Sequence, residues 1–106
     1  MIMIRAEFYE SNGLKKGFMI RGHAEFADSG HDIVCAAVST AVSMAANIIT
    51  DGFNMEAKVS AVDDEIDLNV KSPDSHSEAV LNILIAQLNM ILEEYPGTIN
   101  ITISEV

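Results

Sequence analysis

Eighteen consecutive residues without a charge, IVCAAVSTAVSMAANIIT from Ile33 to Thr50, stand between Asp32 and Asp51. A run of that length either crosses a bilayer or forms a helix in a protein core. More than half of it is Ala, Ser, Thr, Asn or Cys, and no Lys or Arg stands beside it to orient it in a membrane. It reads as a buried central helix, which needs a sheet or other helices to cover it.

The flanking segments supply a sheet. MIMIRAEFYE and LKKGFMIRGH alternate apolar with polar residues and are joined through Asn12-Gly13, the dipeptide that supplies positive φ in a tight hairpin. The amino-terminal segment has neither the basic start nor the cleavage site of a signal peptide and reads as the first strand. EAKVSAV and EIDLNVK form a second hairpin around Asp63-Asp64, with Ile66, Leu68 and Val70 on one side. In SPDSHSEAVLNILIAQLNMILEEY, Ser75 and Glu78 have capping-box spacing, with His76 beside them, and apolar residues follow at helical intervals up to Pro96-Gly97. TINITIS closes the chain as a half-buried strand.

The order is ββαββαβ, and the expected class is α+β: a two-layer sandwich of a mainly antiparallel sheet with two helices. Residues 1–106 make one domain, since this length can bury a core without staples. The first helix is expected to be capped by Asp32 and to end near Asp51-Gly52, with Gly52 left-handed; its small residues suit a central place on the sheet.

Sixteen acidic residues against six basic ones give a net charge of −10. Such a surface repels phosphate backbones and anionic lipid, which argues against direct nucleic-acid or membrane binding. It serves solubility, and it also draws a cationic partner. The single cysteine, Cys35, cannot form an internal disulfide, so the cytoplasm is the expected compartment.

Cys35 is also where chemistry enters. With Asp32 as the cap, the thiol falls in the first helical turn, where the positive end of the helix dipole favours thiolate and unpaired N–H groups can receive an oxyanion. Ser39, four residues on, shares its helical face. A thiol nucleophile also needs a base, and two histidines compete. His23 ends the second strand and His31 sits in the loop before the cap; a regular element aims a side chain better than a loop does, which favours His23. Gly22 and Gly30 give the segment Ala24 to His31 the freedom of a lid. Bland readings stand beside these: a buried apolar cysteine, a hydrogen-bonded structural histidine, a capping Asp32, a packing Ser39. Zinc on His23, His31, Cys35 and Asp28 or Asp32 lacks the paired spacing of structural sites, and neither a metal nor an organic cofactor is expected.

Gly22-His23-Ala24, then eleven residues between His23 and Cys35, then Asp32-Ile33-Val34-Cys35-Ala36-Ala37-Val38-Ser39, resemble the ribosomal-processing cysteine protease Prp family of bacteria. The resemblance spans the chain and implies that Cys35 is the nucleophile and His23 its base, with Asp32 and Ser39 matching family positions as orienter or substrate contact. It further implies a homodimer that removes a short N-terminal extension from a basic large-subunit ribosomal protein, cutting after an aromatic residue and before alanine. Two other readings are a non-catalytic ribosome-assembly module that binds the basic protein through its acidic face, and a redox sensor on Cys35, which lacks a resolving cysteine.

Overall fold

The computed structural model describes residues 3–22 and 29–106, with only the helical backbone for residues 29–32. The strands are β1 (Ile4–Ser11), β2 (Leu14–Arg21), β3 (Ala57–Val62), β4 (Glu65–Val70) and β5 (Ile99–Glu105), and the helices are α1 (Ser29–Asn47) and α2 (Ser75–Glu94). Five strands form one sheet in the order β3-β4-β2-β1-β5. β1 and β5 are parallel and the other pairs antiparallel, so the ββαββαβ order and the α+β class hold.

The turns are set by local chemistry. Asn12 and Gly13 have φ of 55° and 79°, the left-handed pair of a two-residue hairpin. In the second hairpin Asp63 takes φ 54°, a conformation that Asp tolerates better than most side chains. Between Tyr9↔Gly17 and Glu10↔Lys15 the ladder skips Lys16, a β-bulge. There a Cβ on Gly17 would run into the Leu68 carbonyl oxygen, so only glycine fits.

Period-two alternation puts Ile4, Ala6 and Phe8 of β1, Phe18 and Ile20 of β2, and Leu68 and Val70 of β4 on the covered face. Val34, Val38, Val42 and Ala45 of α1 meet them, as do Leu81, Leu84, Leu88 and Ile91 of α2.

The helix ends depart from the sequence expectation. α1 begins at Ser29, so Asp32 is its fourth residue and not its cap. Asp28, just ahead of Ser29, is of the same capping type, and the intervening Gly30 lowers helix propensity without forbidding a helix. After Asn47 the helix widens into a π-helical turn, Ile48–Gly52, closed by Phe53 N–H donating to the Ile48 carbonyl at 2.9 Å. The left-handed residue beyond it is Asn54 (φ 53°), not Gly52.

α2 is capped by Asp74, whose carboxylate accepts from the N–H of His76 (2.8 Å) and Ser77 (3.2 Å). Asp74 N–H donates back to Ser77 Oγ at 2.9 Å, so the capping box is Asp74–Ser77 and not Ser75–Glu78. Glu78 instead reaches the first hairpin, accepting from Lys15 N–H at 2.9 Å. Its carboxylate also lies 3.7 Å from Lys15 Nζ, which ties the start of α2 to β2.

α2, not α1, makes the close backbone approach to the sheet, over β2 and toward β5. This places α1 on the β4 side, as a right-handed β2–α1–β3 crossover requires. Ile33–Gly52 is long and apolar enough to span a membrane, but only 28% of that stretch is buried, so the expected central burial is limited to one face.

Candidate active site

The path to the site starts at the end of β2. Gly22 has φ +90°, its N–H donates to the Asp64 carbonyl at 3.1 Å, and a Cβ there would lie 3.2 Å from the Met3 carbonyl oxygen. A left-handed conformation and a close backbone approach together call for glycine. The freedom expected of Gly22 as part of a lid is therefore a fixed backbone conformation, held from β1 and from the β3–β4 turn. His23, the expected base, lies outside the described residues, as do Ala24 to Asp28 of the expected lid. Gly30 and His31 belong to α1, so the segment between β2 and the helix is shorter than expected.

Cys35 is the seventh residue of α1. Its Cα lies about 9 Å along the helix axis from that of Ser29, in the second turn. There the backbone N–H is engaged within the helix, and the dipole field has largely decayed. The expected oxyanion donors beside the sulfur and the expected dipole activation of the thiol do not follow from this start.

Helical geometry sorts α1 into three strips. Val34, Val38, Val42 and Ala45 face the core. Ala37, Ala41 and Ile48 turn toward α2, where with Val80, Ile83 and Leu84 they line an apolar groove of about 640 Å³. Cys35 and Ser39, one turn apart, lie on the flank turned away from α2, while Ser43 and Asn47, four and eight residues beyond Ser39, drift round to the exposed outer face. Cys35 is half-buried and packs against the core cluster at its margin. Ser39, half-buried, stands one turn along, and with Ser43 and Asn47 it lines a second, open groove of about 610 Å³. The structure thus brings Ser39 onto the thiol's flank and places Asp32 in the helix one turn before it. Of the residues considered for zinc, only Cys35 has its side chain among those described.

The sheet adds electrostatics that strand patterning alone did not reveal. On the face away from the helices, burial raises the Tyr9 hydroxyl above its ordinary pKa, reinforced by Asp67, Glu7 and Glu65. A hydrogen bond with Asp67 raises Glu65, against the lowering effect of Arg21 3.3 Å away. Glu7, Glu65 and Asp67 thus share the open side of the sheet with Tyr9 and with Arg21.

Comparison with curated proteins finds no match. Among solved structures the chain is similar to the ribosomal processing protease Prp from S. aureus in complex with a substrate peptide: 22% identity, TM-score 0.87, 96% of this chain and 100% of that one. The same S. aureus protease with a covalently linked product peptide aligns at 23% identity and TM-score 0.83, with the same coverage. SMU.848 from Streptococcus mutans aligns at 22% identity and TM-score 0.80, over 99% of this chain and 97% of that one. These likenesses establish the fold. The family model described as cysteine protease Prp matches residues 3–100, a span that includes His23 and Cys35, and the chain therefore belongs to the cysteine protease Prp family.

Proposed function

We propose that this chain is a cysteine endopeptidase that removes a short N-terminal extension from a basic large-subunit ribosomal protein. The family match over residues 3–100 carries the reading. It is supported by the similar S. aureus protease, which is bound to a substrate peptide in one structure and to a covalently linked product peptide in another. The net charge of −10 suits a basic substrate.

In the proposed reaction His23 accepts the Cys35 thiol proton as the sulfur attacks the scissile carbonyl carbon. The tetrahedral intermediate collapses with rupture of the C–N bond, and His23 gives its proton to the departing amine. Water, deprotonated by His23, attacks the resulting thioester; the carboxylic acid leaves and the proton returns to the thiolate. No metal or organic cofactor takes part.

The same reading makes the protein a cytoplasmic homodimer. Its support is the outer face of the helix layer: α1 has no charge from Ile33 to Thr50, and α2 has none from Ala79 to Leu92. Ile83 is 68% exposed and Met44 63% at the groove between them. Two helices about 28 Å long, packed side by side, present roughly 560 Å² per copy, about 1,120 Å² for the pair and just under the range of standard stable interfaces. Two chains of net charge −10 meet there without burying a charge.

The deciding experiment is incubation with the ribosomal-protein precursor and mass spectrometry of the products. A single cut in the N-terminal extension is expected, and Cys35→Ser should bind the precursor and leave it whole. A non-catalytic binding module would leave the precursor uncut by both forms.

A further inference from the structure

The base of the proposed reaction has to leave the sheet on the correct side. β2 alternates, with Phe18 and Ile20 buried under the helices and Gly17, Met19 and Arg21 on the open face, paired with Asn69, Asp67 and Glu65 of β4. In a strand that kept this alternation, position 23 would follow Arg21 onto the open face. The sheet would then separate it from α1 and Cys35. The alternation ends one residue earlier, at Gly22, whose φ is +90°. Positive φ there takes the chain out of the strand immediately ahead of His23.

This departure is held from outside β2. The last pair of the β2–β4 ladder is Arg21↔Glu65, and Glu65 pairs in turn with Val62 across the two-residue turn Asp63-Asp64. The Asp64 carbonyl lies in that turn, outside the β3–β4 ladder, and accepts from the Gly22 N–H at 3.1 Å. Its direction is set by Asp63, whose φ of 54° few side chains accept. One residue back, the Arg21 guanidinium lies 3.3 Å from the Glu65 carboxylate. From the β1 side the Met3 carbonyl oxygen, 3.2 Å from where a Cβ on residue 22 would stand, crowds any larger residue. The Arg21–Glu65 side chains are 48% and 36% exposed, too open for their pairing to add much stability. What these contacts fix is the direction of the chain.

We infer that the β3–β4 turn is the positioning element of the base. Asp63 sets the turn, the Asp64 carbonyl holds Gly22, and the Glu65 carboxylate holds Arg21; together they fix the backbone from which His23 reaches Cys35. The inference rests on the proposed protease reading, and it makes Asp63, Asp64 and Glu65 positioning residues that act through Gly22 and His23.

The test compares two substitutions at Asp63 in the full chain. Asp63→Gly accepts the same φ without the carboxylate, whereas the β-branched Asp63→Val resists it. On a short neutral peptide spanning the cleavage site, Asp63→Val should lower kcat about tenfold or more with KM little changed, since an ångström of misplacement can cost about a hundredfold. It should also raise the pH midpoint of Cys35 alkylation by iodoacetamide, as His23→Ala does. Asp63→Gly should keep the wild-type kcat and midpoint. If Asp63→Val does not fold, Glu65→Thr carries the test: it keeps strand propensity, and kcat should fall severalfold with a raised midpoint at unchanged Tm. Wild-type kcat and midpoint in Glu65→Thr and in folded Asp63→Val overturn the inference. So does an equal loss in Asp63→Gly and Asp63→Val, which would assign the effect to the Asp63 carboxylate itself. If the wild-type chain is alkylated at Cys35 but cuts neither peptide nor precursor, the protease reading fails and the inference falls with it.

Discussion

The two flanks of α1 differ in what they carry and in what covers them. One presents Ala37, Ala41 and Ile48 to α2 across an apolar groove, with Leu84 buried beneath. The other carries Cys35 and Ser39, both half-buried, beyond which Ser43 and Asn47 turn outward to solvent. Small apolar residues on the first let two helices come together; a thiol and hydroxyls on the second gain nothing from such packing and face an open surface. One helix therefore divides scaffold from chemistry, and substitutions on its two sides should separate stability from activity.

The sharpest break concerns the thiol side. His23→Ala should lower kcat/KM by about 10²–10⁴-fold, the usual contribution of a positioned acid–base group, and raise the pH midpoint of Cys35 alkylation. With Cys35 in the second helical turn, the dipole leaves most of the activation to the base. An unchanged midpoint in His23→Ala, with a raised one in His31→Ala, would move the base to His31.

On the scaffold side, Leu84→Ala should cost about 2–5 kcal/mol of stability, since it empties a buried site between the helices and the sheet. Denaturant unfolding measures the loss. Under folding conditions its alkylation profile should match wild type, and a shifted profile would show that the two flanks are coupled.

A smaller effect separates apolar recognition from the surface field. Raising salt from about 0.1 to 1 M shortens the Debye length from ~10 to ~3 Å. kcat/KM on the full-length basic precursor should then fall several-fold, while a short neutral peptide should be nearly indifferent. An equal response of the two substrates would make the acidic surface a solubility device alone.

The smallest effect is at the start of α2. N–H groups of Ser77 and His76 donate to Asp74 and hold its carboxyl below the usual carboxylate range. A depressed folded pKa gives stability that is present above the unfolded value and lost as pH falls through the folded one. Asp74→Ala should lower Tm by a few degrees at neutral pH, and the gap to wild type should close as pH drops below about 4. A constant gap across that range would assign the loss to packing.

Much of this was written locally. Asn12-Gly13 and Asp63 dictate their turns because few other residues accept positive φ, and the alternation of Ile4, Ala6 and Phe8 defines a buried strand face. The helix ends were less legible. Two acidic residues, Asp28 and Asp32, were both of capping type, and Gly52 and Asn54 both suited to a left-handed stop. At α2 the choice lay between Asp74 and Ser75, and the tie between Glu78 and Lys15, 63 residues away, took Glu78 out of the capping box.

By itself the sequence determined the class, the element order, the lone thiol and the serine one turn along on its side of α1, because these depend on periodicities of 2 and 3.6 and on turn chemistry within a few residues. The tertiary structure alone decided which flank of α1 meets α2, that β3 takes the edge next to β4, and that Val59 on its inward face stays half exposed. Those outcomes follow from the handedness of two crossovers and from two helices being too few to cover five strands, and no local stretch of the chain encodes either.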